Sequence, residues 1–159
     1  MTHTLPMTTY GYEKLQRELK DLMTNKRLDV AAEIARARSY GDLSENAEYQ
    51  AAKEKQYQLE KRIRELEDKL SRAHIVDVST LSGTKICFGA TVVLVDEDED
   101  KEVCYQIVGS DEADVQQQKL SIESRLARAL IGKELGARFE FSTPGGEKSY
   151  FIRSVEYKV

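Results

Sequence analysis

Tryptophan is absent from this 159-residue chain, and Cys, His and Pro occur only twice each. Two His and two Cys offer at most one set of four ligands for a zinc site built from those residues. No apolar run approaches the ~18 residues that a membrane span needs. Residues 1–6 carry neither a basic stretch nor an apolar one, so no secretory signal is expected and the reading is a cytoplasmic protein. Cys87 and Cys104 fall in segments expected to be strands and read as two reduced, buried thiols. A basic excess is also missing. The 24 Lys and Arg are outnumbered by 28 Asp and Glu, for a net charge of −4, which argues against a protein that coats nucleic acid through a broad basic surface.

What is present divides the chain in two. Residues 1–77 carry 14 basic and 14 acidic side chains, so the whole acidic excess lies in residues 78–159. No Gly or Pro interrupts residues 12–40, where Leu15, Leu19, Met23, Lys26, Val30, Ile34 and Ala37 recur at steps of three and four. That spacing predicts a helix, entered at Thr8 or Thr9 and stopped at Gly41. A second series follows: Tyr49, Ala52, Gln56, Leu59, Ile63, Leu66, Leu70 and Ala73. Its mean period of 3.5 is that of a coiled-coil seam. Two such helices joined by a short break predict an antiparallel coiled-coil hairpin over residues 1–77.

The periodicity changes near His74. Residues 75–78 read as extended, and residues 86–95 and 102–108 as two strands around a solvated acidic turn, 96–100. Ser124 is placed to cap a short helix that ends at Gly132, and residues 139–141 and 150–157 flank the turn Thr143-Pro144-Gly145-Gly146. The fold class expected is therefore α+β: a helical hairpin, then a mostly antiparallel β module with one short helix over residues 78–159.

The break between the helices holds Asp42 and Glu45, three residues apart, with Glu48 three further on. From spacing alone, a helix cap accounts for them, with Asp42 or Ser44 or Asn46 as the capping residue. The other reading is a carboxylate pair, hard ligands suited to Mg²⁺, offered at the end of a rod. Arg38 and Lys53 are either a solvated face or contacts to phosphate. Tyr49 is either the first residue of the seam or a platform for a base.

The stretch from Ala35 to Glu54, with its core Gly41-Asp42-Leu43-Ser44-Glu45-Asn46-Ala47-Glu48-Tyr49-Gln50-Ala51-Ala52, closely resembles the bacterial transcript cleavage factors of the GreA/GreB family. Phe88-Gly89-Ala90-Thr91-Val92, Ile107-Val108-Gly109, Leu130-Ile131-Gly132-Lys133 and Thr143-Pro144-Gly145-Gly146 match as well, so the resemblance covers nearly the whole chain. Leu43, not Arg, after Asp42 is similar to the GreA branch. The resemblance implies a coiled-coil hairpin and an FKBP-like β module. It implies a factor that binds RNA polymerase, enters its secondary channel and stimulates the polymerase's own Mg-dependent hydrolysis of backtracked RNA, with no enzyme activity of its own, no membrane and no small-molecule substrate.

By the same match, Asp42 and Glu45 would help hold an Mg²⁺ shared with the polymerase beside the RNA 3′ end. Arg38, Lys53 and Tyr49 would face the channel or the RNA, and Ser124 and Arg125 would lie in the docking surface. Arg125 stands where the family usually has Pro. Competing readings are an inhibitor occupying the same channel, a free metal-dependent nuclease, and a prolyl isomerase argued from the β module. Both tip acids favour cleavage over inhibition. The few remaining acids and His disfavour a self-sufficient nuclease, and the lack of Trp disfavours the isomerase.

Overall fold

The computed structural model describes residues 3–39 and 43–158, with the side chains of 43–46 outside that description. Two compact units emerge. One comprises residues 12–73; the other comprises 74–158 together with 4–11.

In the first unit, helix α1 (Thr9–Asp21) runs through a π-helical turn (Leu22–Lys26) into α2 (Arg27–Arg38), and α3 (Leu43–Ser71) follows. At ~1.5 Å per residue, the 29 residues of α3 extend about 43 Å. Helices α2 and α3 pack together, and three ion pairs fix α3 as antiparallel to the helices before it: Glu60 with Arg27 of α2, Lys55 with Glu33 of α2, and Arg62 with Glu18 of α1. Both Arg pairs are forked. Arg27 donates from Nε and Nη2 to the two Glu60 oxygens at 2.9 Å each, and Arg62 does the same to Glu18 at 2.9 and 3.1 Å. Such two-point contacts fix geometry as well as charge. Inside the seam, Leu15, Ala37, Ala52, Leu59, Ile63 and Leu66 are buried.

The π turn changes the phase of the first stripe. The Arg27 amide donates to the Leu22 carbonyl, five residues back, so the inward step there is five. Leu22 and Arg27 are consequently half-buried, while Met23 (41% exposed) and Lys26 turn outward. The expected stripe through Met23 and Lys26 is corrected on that point. The second stripe also stops sooner than expected: α3 ends at Ser71, and Ala73 opens strand β2 (Ala73–Val76).

In the second unit, β2 pairs with β1 (Leu5–Thr8) in a two-stranded sheet. The main sheet contains β3 (Thr91–Asp96), β4 (Lys101–Val108), β5 (Lys119–Ser121), β6 (Arg138–Thr143) and β7 (Gly146–Glu156). Its order is β5-β4-β3-β7-β6, with only the β4–β5 pair parallel. A register shift between Val93 and Leu94 bends β3 against β7. Helix α4 (Arg125–Leu130) lays Ala127 and Leu130 into a core with Ile86, Ala90, Val92, Leu94, Ile107 and Ile152.

Three expectations change here. Residues 86–90 are not a strand; β3 starts at Thr91, and the preceding loop is tied by Ile86 N–H to Lys133 O and Gly132 N–H to Ile86 O. Cys87 lies in that loop and is exposed, because its neighbour Ile86 takes the inward position; Cys104, in β4, is half-buried. Asp96 is not solvated but only 4% exposed. Period two puts it on the same inward face as Val92 and Leu94. Its charge is matched by the Asp98 and Glu99 amides at 3.0 and 3.2 Å and by Lys148 Nζ at 3.1 Å.

Residues 4–11 join the second unit through a carboxylate. Glu112 accepts from the Thr8 amide (3.0 Å), the Thr8 hydroxyl and the Gly109 amide (2.9 Å). Thr8 Oγ1 in turn accepts from the Gly11 amide at 3.1 Å, so Thr8 caps α1. A β-carbon at Gly11 would fall inside the Glu112 carboxyl group, and one at Gly109 on the Pro6 carbonyl.

Gly11→Ala should therefore cost about 2–4 kcal/mol and Glu112→Gln about 1–3 kcal/mol, read from urea unfolding followed by tyrosine fluorescence. Leu22→Ala should cost about 1–2 kcal/mol and Met23→Ala under about 0.5 kcal/mol; the reverse order would refute the π-turn phase. Asp96 titrates below the ordinary aspartate range because Lys148 hydrogen-bonds it, outweighing desolvation, with help from the Glu99 and Asp98 amides. A depressed carboxylate stabilises the fold above its unfolded pKa and ceases to do so as pH falls through the folded one. The thermal midpoint should thus drop as pH falls below about 4, and Asp96→Asn should flatten that drop.

Candidate functional site

The chain reverses between Ser39 and Leu43. On the incoming side, the Ser39 amide donates to the Ala35 and Arg36 carbonyls and its hydroxyl to Arg36 O at 2.7 Å, which satisfies the open carbonyls of the helix end. Arg36 and Arg38 occupy the last turn of α2, where the negative end of the helix dipole favours cations. On the outgoing side, α3 includes Glu45 in its first turn. Asp42 lies outside the described residues, as does the side chain of Glu45.

Of the other tip residues, Arg38 and Tyr49 are brought together. The guanidinium lies 5.7 Å from the ring centroid. The Tyr49 hydroxyl titrates below the usual tyrosine range, first because Arg38 hydrogen-bonds it and then through the charges of Arg38 and Lys53, against desolvation. Tyr49 is half-buried, so one side chain both begins the seam and receives a cation. Lys53, one turn on, is exposed and donates to Gln56 Oε1 at 3.0 Å.

Behind the tip, a cleft of about 240 Å³ opens between the helices over Ala37, Ala51 and Ala52. Glu33, Arg36, Glu48 and Lys55 rim it, with Glu33 and Lys55 paired at 3.0 Å. The sequence signal for this cleft was the alanines at seam positions that carry Leu or Ile farther along the rod. Small side chains leave room, and the rim charges fill the edge of it.

In the second unit, Ser124 Oγ accepts from the Ala127 amide at 3.2 Å and donates to Ser121 O at 2.7 Å, capping α4. Arg125 is exposed but not without contacts. Its Nη2 donates to Ser142 O at 3.2 Å, and its guanidinium lies 5.2 Å from the centre of the Phe141 ring. The charge that replaces the usual proline is thus held against β6. Among the described residues, no cluster of three His, Cys, Asp or Glu is arranged to hold a metal ion, and no helix is long and apolar enough to cross a membrane.

Comparison with known proteins accounts for both units. Residues 5–75 match the family described as transcription elongation factor, N-terminal, and residues 81–157 match transcription elongation factor, GreA/GreB, C-term. The chain is 56% identical over 153 residues to transcription elongation factor GreA of Phenylobacterium zucineum, covering 96% of this chain and 98% of that protein. It is 55% identical over 158 residues to the GreA of Bradyrhizobium sp., covering 99% and 100%. Among solved structures it is similar to GreA factor homolog 1 of Thermus thermophilus, at 28% identity over 97% of this chain and 99% of that one, with a TM-score of 0.44. From the two sequence matches and the relatives at more than half identity, the chain belongs to the GreA/GreB family of transcription elongation factors.

Proposed function

We propose that this protein binds RNA polymerase, passes the end of its hairpin into the secondary channel and stimulates the polymerase's own cleavage of backtracked RNA. The observation that carries this reading is the sequence Gly41-Asp42-Leu43-Ser44-Glu45-Asn46 at the reversal between two antiparallel helices, in a chain whose halves both match the family. A hairpin containing an α-helix about 43 Å long suits a probe that must reach into a channel.

Asp42 and Glu45 offer hard oxygen donors, the chemistry Mg²⁺ prefers, but two carboxylates supply only part of a six-ligand shell. The polymerase and the RNA would supply the remainder. With Mg²⁺ bound, the chemistry gained is the acidification of water and the offsetting of negative charge on the departing oxygen. This chain's own residues do the rest. Asp42 and Glu45 hold and orient the attacking water beside the RNA 3′ end. Arg38 and Lys53 attract phosphate, with Arg38 preset by the Tyr49 ring. Ser124 and Arg125 meet the polymerase surface, with Arg125 acting from its position over Phe141. The protein is thus a factor that completes another enzyme's site.

The test uses a stalled, backtracked elongation complex with end-labelled RNA. Adding the protein should speed release of short 3′ fragments by at least about tenfold, and Asp42→Asn or Glu45→Gln should remove most of that gain, on the order of 10²-fold where the gain is larger. Both variants should still compete with the parent protein for the polymerase. Cleavage unchanged in both variants would overturn the tip mechanism, and no stimulation by the parent protein would overturn the function.

A further inference from the structure

The second unit contains a cavity of about 320 Å³ that cleavage stimulation does not use. Its volume is at the lower end of the range for small-molecule sites, roughly 300–1,000 Å³. Buried Val78 makes an apolar floor, and the Tyr10 ring, 56% exposed, makes a wall. Lys119 holds its ammonium 4.5 Å from the centre of that ring, and Lys158 brings a second one.

Asp77 and Glu112 also line the cavity, but both are engaged by their own chain. Asp77 Oδ1 accepts from the Ser79 amide at 3.0 Å and the Ser79 hydroxyl at 2.6 Å. Glu112 takes the Thr8 amide and hydroxyl and the Gly109 amide. The lysines have looser partners. Lys119 has an aromatic face, and Lys158 has an exposed pair with Glu156 at 3.0 Å. An ammonium carries three donors, so each lysine keeps capacity for an anion. The cavity also meets the first turn of α1 at Thr9 and Tyr10, a turn without acidic residues at the positive end of the helix dipole.

We propose that this cavity binds a free mononucleotide, with its phosphate on Lys119 and Lys158 and its base on Tyr10 above Val78. An inorganic anion would leave the ring and the apolar floor unused, and a neutral aromatic would leave the ammonium groups unused. Binding exchanges partners: the phosphate draws Lys119 off the ring, and the base takes the face it leaves.

The test is a titration of the full chain, labelled with ¹⁵N, by adenosine 5′-monophosphate, adenosine and inorganic phosphate in separate arms. The mononucleotide should bind with a Kd on the order of 0.1–1 mM and shift the amides of Tyr10, Val78 and Lys119, with the other two probes about tenfold weaker. Lys119→Gln should weaken the mononucleotide about tenfold and leave adenosine unchanged. Tyr10→Leu should weaken both. Lys158→Gln gives a second reading of the phosphate contact if Lys119→Gln fails to fold. Phosphate bound as tightly as the mononucleotide, shifts outside the cavity alone, or intact binding in folded Lys119→Gln and Lys158→Gln would overturn the proposal.

Discussion

A long, highly charged helix is only marginally stable alone in water, and its narrow apolar stripe must find a partner. That constraint organises the first unit. The side chains of α3 that recur with a period near 3.5 can be covered only by a helix running alongside, and the chain supplies one immediately before it. Burial of Leu59, Ile63 and Leu66 gives the pairing its driving force, and the forked Arg27–Glu60 and Arg62–Glu18 contacts give it an alignment. Once the helices are paired antiparallel, the end of α2 and the start of α3 are held together at one end of the pair.

The second unit answers a different demand. Its strands and loops leave many amides without ladder partners, and carboxylates repeatedly take them. Asp77, Asp96, Asp98, Asp114 and Glu112 each accept from backbone N–H groups. The acidic excess of this half is therefore partly internal wiring. A buried carboxylate costs free energy unless it is hydrogen-bonded and paired, and Asp96 is both. Charge counted along the sequence does not separate such groups from those that face water.

Much of the architecture was legible in the residues, and the exceptions have physical reasons. The seam at Ala52, Leu59, Ile63 and Leu66, the Ser124 cap and the β3–β4 and β6–β7 hairpins all follow from period and turn chemistry. Met23 was misplaced because nothing in the residue types Leu22–Lys26 distinguishes an i+5 hydrogen bond from an i+4 one. Strand β5 has three residues and pairs in parallel through a distant partner, so it carries too little local pattern to be seen. Residues 4–11 read as a lead-in to the hairpin, whereas Glu112, a hundred positions away, decides where they belong. At the tip, residue types suggested that Arg38 and Tyr49 were two separate contacts; they form one pair.

The π turn has a consequence for how this rod tolerates change in length. Inward positions run Leu15, Leu19, Leu22, then Arg27, Val30, Ile34 and Ala37. Without the extra residue, the same sidedness would repeat as uninterrupted heptads. The turn thus behaves as an absorbed single-residue insertion, confined to one widened loop of backbone. A register error that would otherwise rotate everything beyond it by about 100° is cancelled within five residues. The end of the rod keeps its angular setting regardless of that surplus residue, much as a leap day keeps a calendar in phase.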